Sequence, residues 1–263
     1  MIAQLTAQSS DATFILVHGG WHGAWCWYKV LPQMKDYGLK VLPIDLPGHG
    51  KDTTPAASVT MDDYVNKVGE VANTINGKVI LLGHSSAGTV IAQAAEQITP
   101  QKISALIFLD AFMPQQGESG FSLVEKFSGE SKKGTGSTLL ESMVFSPDQK
   151  TSTLKLERVK ELLYHDCADE DVNLAKLKLG PQSIAPQAPP VNLTDKNYGS
   201  IPKYYIICTE ARDMDKSKIS TNVPTKRIYS LKSSHSPFFS MPDELTLILV
   251  EIQKEQSNQS LQK

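Results

Sequence analysis

The stretch that most constrains this chain is residues 78–91, Lys78-Val79-Ile80-Leu81-Leu82-Gly83-His84-Ser85-Ser86-Ala87-Gly88-Thr89-Val90-Ile91. Unbroken aliphatics between Lys78 and Gly83 predict a buried strand, and the small residues after it open a helix over residues 89–97. A strand that runs directly into a helix must turn sharply. A serine at such a corner, with Gly83 two places before it and a very small residue two places after, is held in strained backbone with its hydroxyl projecting from the end of the sheet. Ser85 is that serine. The spacing departs by one residue from G-x-S-x-G, because Ala87 stands where the second glycine belongs and Gly88 follows one place late. Alanine permits close strand–helix approach but tolerates unusual backbone angles less well than glycine. The plain alternative is a Gly/Ser connection in an ordinary βα unit.

Composition narrows the class. A length of 263 residues suits one large α/β domain or two small ones, and 40% hydrophobic with 21% charged residues is that of a soluble globular protein. A formal charge of -2 provides no basic field for nucleic acid or for an anionic membrane surface. The longest apolar runs, residues 79–82 and 105–109, are far below the ~20 residues that span a bilayer. Cys26, Cys167 and Cys208 have no metal-type spacing, and their odd number argues against a full disulfide framework, so buried thiols are expected. Residues 1–10 lack a charged-then-apolar export pattern, which favours a cytoplasmic location; Ala7-Gln8-Ser9-Ser10 could also be a remnant of processing, which leaves export with a removed signal peptide open.

In chain order, strands are expected at residues 13–17, 40–44, 78–82, 104–109, 203–208 and 225–230, alternating with helices at 62–75, 89–97 and 244–253. That alternation predicts a mostly parallel sheet of about six strands covered by helices on both faces, with ligands bound beyond the strands' C-terminal ends. The aromatic-rich segment from Trp21 to Met34 reads as a packed helix, and His49 in a Pro-Gly turn reads as structural. Between residues 115 and 197 the texture changes to Gly/Ser/Lys-rich loops at 128–137, an amphipathic run near 154–164 and a Pro-rich stretch at 181–190. This is expected to be a mostly helical cap, leaving residues 1–114 and 198–263 as the core.

Three loops then share one edge of the sheet: Gly19-Gly20, residues 83–88, and Ser233-Ser234-His235-Ser236-Pro237. A serine hydroxyl is a weak nucleophile near neutral pH and needs an imidazole to take its proton and return it to the leaving group. His235, after the last strand, has the place that a serine, acid, histidine chain order requires. Candidates for the carboxylate that orients it are Glu210, Asp213 and Asp215 after the fifth strand and Asp110 after the fourth, with Asp213 preferred and Asp110 second. The amides of Gly20 and Ser86 are the expected oxyanion donors. His84, Ser86, Trp21 and His22 line the site by adjacency.

Phe14-Ile15-Leu16-Val17-His18-Gly19-Gly20-Trp21-His22-Gly23-Ala24-Trp25-Cys26-Trp27, Gly83-His84-Ser85, and His235 before Pro237-Phe238 together resemble the α/β-hydrolase superfamily. The resemblance is to its branch of small esterases and hydroxynitrile lyases, including plant methyl esterases and bacterial relatives. It covers nearly the whole chain, strongly at these motifs and weakly through the cap. It implies an α/β-hydrolase fold, Ser85 as nucleophile, His235 as base, no metal or organic cofactor, and cleavage of small carboxylic esters. A small-molecule partner is implied, and a homodimer is possible. Two positions depart from the family: its catalytic aspartate falls on Ala211 here, and the lysine that follows the histidine in the lyases is Ser236. Three functions therefore stand in order: a serine esterase working through an acyl-enzyme, a catalytically weak ligand-binding homologue that keeps the hydrolase shell, and a cyanohydrin lyase.

Overall fold

Continuous apolar strands require apolar cover on both sides, and the burial pattern has that form. A computed structural model describes residues 12–128 and 139–261. Six strands, β1 (Thr13–Val17), β2 (Val41–Ile44), β3 (Val79–His84), β4 (Ile103–Leu109), β8 (Lys203–Cys208) and β9 (Arg227–Leu231), form one sheet in the order β2-β1-β3-β4-β8-β9. Every pairing in it is parallel. Alternate side chains enter opposite cores. Ile15, Val17, Val79, Leu81, Leu106, Phe108 and Tyr205 join helices α2 (Met61–Thr74) and α3 (Ala87–Gln97). Phe14, Leu16, Ile80, Leu82, Ile107, Tyr204 and Ile206 pack with α1 (Val30–Asp36), α8 (Pro237–Ser240) and α9 (Pro242–Leu261). Pro43 is tolerated in β2 because β2 is an edge strand, where a missing N–H need not face a neighbour.

The expected strands and helices are present, with shifted ends. The helix expected at 89–97 begins at Ala87, and α2 opens with a capping box in which Thr60 and Asp63 satisfy each other's backbone N–H groups. The terminal helix runs past 253 to Leu261 because its polar residues are used: Gln253 and Gln256 are buried, and Gln256 Nε2 donates to Tyr204 Oη at 2.6 Å. The aromatic segment is a 3-10 turn at Ala24–Trp27 followed by α1 rather than one helix.

Between β4 and β8 lie α4 (Gly120–Ser128), α5 (Leu139–Ser142), α6 (Val159–Leu163) and α7 (Asp169–Lys178). They are joined by a three-stranded antiparallel sheet, β5 (Met143–Phe145), β6 (Thr151–Leu154) and β7 (Gln182–Ser183), in the order β5-β6-β7. Helices dominate this excursion, as expected, but its sheet was not legible, since two- to four-residue strands such as Thr151-Ser152-Thr153-Leu154 carry no apolar run. The amphipathic run near 154–164 divides between the end of β6 and α6. The expected loop at 128–137 and the N-terminal segment weighed for export lie, apart from Ser128, outside the described residues. Among the described residues no helix is long and apolar enough to cross a membrane.

The one-residue departure in the Ser85 motif has a packing cause. A Cβ on Gly83 would lie 2.8 Å from the Ala87 carbonyl oxygen, and one on Gly88 would lie 1.9 Å from that of Phe112. The backbone contacts that exclude a side chain thus fall at 83 and 88, while position 87 has room for a methyl group. Gly88→Ala should therefore cost about 1–3 kcal/mol by forcing α3 away from the strand-end loop. Urea denaturation checks this, with Ala87→Gly as a control that loses less than half as much.

Candidate active site

Ser85 sits between β3 and α3 with φ 55, in the left-handed region that disfavours a side chain. The turn is held from three sides: Ser85 N donates to Leu109 O at 3.2 Å, and Ser85 O accepts from Gly88 N at 3.1 Å and from Phe112 N at 3.0 Å. Asp110, at the end of the adjacent β4, is also left-handed, with φ 43, and its N–H donates to Ile206 O at 2.7 Å.

The loop after β1 approaches the serine closely. A Cβ on Gly19 would lie 2.8 Å from Ser85 Cβ, and one on Gly20 would lie 3.6 Å from Ser86 Oγ. Both glycine carbonyls accept from ring N–H groups: His18 Nδ1–H donates to Gly19 O at 2.9 Å and His22 Nδ1–H to Gly20 O at 2.7 Å. Among the described residues neither Gly20 N–H nor Ser86 N–H has a protein acceptor. Two main-chain donors in the segments flanking Ser85 thus remain without a protein acceptor among the described residues.

His235, in the loop after β9, is 3% exposed. The hydrogen bond expected from Asp213 is made by Asp110, whose Oδ2 lies 2.6 Å from His235 Nδ1. Asp213 Oδ1 stands 3.5 Å from the same nitrogen and has no hydrogen-bond partner. The second choice of carboxylate is thus the nearer one, because Asp110 is turned inward at its left-handed corner while Asp213 comes from a longer loop. Asp110 is wholly buried, and burial pushes its carboxyl up. The Lys216 ammonium and the His235 hydrogen bond outweigh this and hold it below the ordinary value. Glu210 is exposed, and its carboxylate reaches Lys232 instead of the imidazole. Asp215 Oδ1 accepts from Ser217 N.

Lys216 is the residue that sequence reasoning missed. A lysine three places after Asp213 in a polar loop gave no signal, yet it is 3% exposed, and its Nζ lies 2.6 Å from Asp213 Oδ2 and 3.0 Å from Asp110 Oδ2. Asp110, Asp213 and His235 are the only trio among the described residues whose side chains could gather around a metal ion. The Lys216 ammonium lies against all three, so the chain places its own cation there.

Ser85, Gly20, Asp213 and His235 line one narrow cleft, partly open to solvent, together with Leu139 and Leu163. No hydrogen bond joins Ser85 Oγ to the His235 ring among the described contacts, and such bonds are commonly loose before substrate is bound. A chain of polar groups braces the floor. Trp21 N donates to Gln182 Oε1 at 3.3 Å, Gln182 Nε2 to Tyr64 Oη at 3.1 Å, and Tyr64 Oη to His49 Nε2 at 2.8 Å. His49 Nδ1–H reaches His22 O at 2.9 Å, and Tyr164 Oη donates to His22 Nε2 at 2.6 Å.

With the geometry in place, comparison with known proteins assigns the class. Residues 14–246 match the alpha/beta hydrolase family, and the chain belongs to it. It is 33% identical to Methylesterase 1 of Arabidopsis thaliana over 254 residues, covering 89% of this chain and 92% of that protein. It is 33% identical over 252 residues to putative methylesterase 11, chloroplastic, of the same plant, which matches 91% of this chain; the chain spans 63% of that relative's length. Among solved structures, a pyrethroid hydrolase from Sphingobium faniae JZ-2 superimposes with a TM-score of 0.82 at 26% identity, covering 92% of this chain and 97% of the other.

The buried histidines make stability depend on pH. Burial pushes His22 and His49 down from 6.5 to about 4 and holds His18 and His84 well below 6.5. The unfolded chain binds protons at these four sites between those values while the folded chain does not, so protons favour unfolding. The contribution of these four sites should level off about one unit above pH 6.5 and stability should fall towards pH 4, by up to about 5 kcal/mol per pH unit where all four are protonated only when unfolded. Urea midpoints across that range measure the slope.

Proposed function

We propose that the chain is a serine esterase that cleaves small carboxylic esters through an acyl-enzyme intermediate, with Ser85 as nucleophile, His235 as base, Asp110 as its carboxylate partner and the Gly20 and Ser86 amides as oxyanion hole. That the chain is a carboxylic ester hydrolase follows from its family and from the methylesterases it matches. The finer reading is carried by one observation: His235, bonded at 2.6 Å to a wholly buried carboxylate, lines the same cleft as Ser85. Ionised Asp110 accepts from Nδ1–H, which leaves Nε2 as the unprotonated nitrogen.

In the reaction, Ser85 Oγ bonds to the ester carbonyl carbon as its proton passes to His235 Nε2. The carbonyl oxygen takes the negative charge and is held by the two amides, while Asp110 stabilises the imidazolium. The C–O bond to the alcohol breaks as Nε2–H protonates the leaving oxygen. Water then attacks the acyl-enzyme with His235 again as base, and the acid departs. Leu139 and Leu163 in the lining suit a short apolar ester, and residues 115–197 act as the cap that supplies them.

The ligand-binding alternative drew its support from Ala211. Asp110 at bonding distance supplies the carboxylate that Ala211 lacks, which favours catalysis. Ser236, where a lyase would need a cation, is buried with its hydroxyl unpartnered.

With p-nitrophenyl acetate, the protein should turn over and a fluorophosphonate probe should label Ser85. Ser85→Ala should abolish both. Asp110→Asn should lower kcat by up to ~10⁴-fold, and Asp213→Asn by far less. Turnover that survives Ser85→Ala would sink the serine mechanism, and equal indifference to both aspartate changes would favour the binding homologue.

A further inference from the structure

We propose that Lys216 is a positioning residue that lets two carboxylates share one imidazole: its ammonium clamps Asp110 and Asp213 beside His235 and keeps the charge facing the base at one net negative. This rests on the catalytic role proposed for His235.

The geometry is that of a closed cluster. Lys216 Nζ lies 2.6 Å from Asp213 Oδ2, 3.0 Å from Asp110 Oδ2 and 3.3 Å from His235 Nδ1. The Lys216, Asp110 and Asp213 side chains are 2%, 0% and 3% exposed, so little water screens them. Because Nδ1–H donates to Asp110, the lysine contact with the ring is proximity of charge rather than a hydrogen bond. Two carboxylates this close to one nitrogen repel each other, and a cation between them offsets that repulsion. One ammonium between them leaves a net charge of minus one, the value a single-acid triad presents. Burial works to lower the Lys216 pKa, but Asp110 and Asp213 outweigh it and hold the lysine above its ordinary value, so it stays charged.

The other groups around His235 are accounted for. His84, at the end of β3, has its ring centroid 4.4 Å away and donates through Nε2–H to His235 O at 2.8 Å. His22 approaches from the loop after β1. Burial holds both neutral. The Asp166 carboxylate accepts from Ser234 N at 2.8 Å, on the backbone of the preceding residue. Asp110, Asp213 and Lys216 are therefore the acidic and basic side chains within reach of the His235 Nδ1 among the described residues.

Charge arithmetic then predicts shifts of opposite sign. Lys216→Met leaves two negative charges, favours the protonated imidazole and moves the acid limb of the kcat/KM profile to higher pH. Asp213→Asn, which keeps the lysine, leaves no net charge and moves the limb to lower pH. The double variant K216M/D213N restores one negative charge and returns the limb to its wild-type position. At these separations and this burial each single shift should be about one pH unit or more. A role in structure alone would lower activity at every pH and would not cancel in the double variant.

The experiment is the hydrolysis of p-nitrophenyl acetate by the full chain from about pH 5 to about pH 9, for wild type, Lys216→Met, Asp213→Asn, the double variant and Ser85→Ala. If Lys216→Met does not fold, Asp213→Asn and the charge-balanced double variant carry the test. Opposite shifts that cancel support the clamp. Coincident wild-type and Asp213→Asn profiles, or a double variant whose limb stays displaced, overturn it. A dead Ser85→Ala enzyme with unmoved profiles removes the clamp alone, whereas an active Ser85→Ala enzyme removes both the catalytic reading and the clamp.

Discussion

Two left-handed corners at the ends of neighbouring strands set everything else at this site. Ser85 closes β3 with φ 55 and Asp110 closes β4 with φ 43, and each such residue costs on the order of 1–3 kcal/mol. They persist because the parallel register continues one step beyond the strands: Ser85 N reaches Leu109 O, Phe112 N reaches Ser85 O, and Asp110 N reaches Ile206 O. Gly83 and Gly88 let α3 settle against this corner, where any larger residue would meet backbone. Trp21, in the glycine loop facing Ser85, has φ 62. Of the four non-glycine residues with positive φ among those described, three therefore surround the cleft and only Gln149 lies elsewhere. Positive φ is concentrated around the cleft that Ser85 and His235 line.

Burial divides the titratable groups of the site into two kinds. His18, His22, His49 and His84 are kept neutral and serve as hydrogen-bonding braces, each with a ring nitrogen tied to a backbone carbonyl. Asp110, Asp213 and Lys216 are placed against one another so that buried charge is compensated within a few ångströms. A carboxylate left alone there would take up a proton and could no longer hold an imidazolium, because desolvation of an isolated charge exceeds what distant dipoles return. The braces tie the glycine loop to its neighbours, and the compensated cluster packs against the His235 ring.

Much of this was legible in the residues. Aliphatic runs at 13–17, 79–82 and 105–109 are buried on both faces, so periodicity, length and flanking residues all agree on central strands. Gly83, Ser85 and Gly88 announced a corner because only small residues survive such close backbone contact. Chain order pointed to His235 and loop chemistry to Gly20, and both line the cleft that Ser85 lines. What stayed hidden depends on where long side chains go after the backbone is laid down. Lys216 and Gln182 look solvated in one dimension and are buried in three. The three-stranded sheet between β4 and β8 has too few residues per strand for alternation to register.

Ala211 shows why the choice of acid was the hardest part to read. The imidazole enters from beyond β9, and its Nδ1 faces the ends of β8 and β4, which are adjacent in the sheet. Either strand can present a carboxylate to it, so the fold dictates the position of the imidazole without dictating which strand answers. Here the strand-end corner at Asp110 reaches the ring to 2.6 Å, and the longer loop after β8 brings Asp213 only to 3.5 Å. Keeping both acids near one nitrogen creates an excess of negative charge that a single-acid site does not have. The buried ammonium three residues after Asp213 is the electrostatic consequence of that excess, and it explains why a lysine occupies a place with almost no access to water.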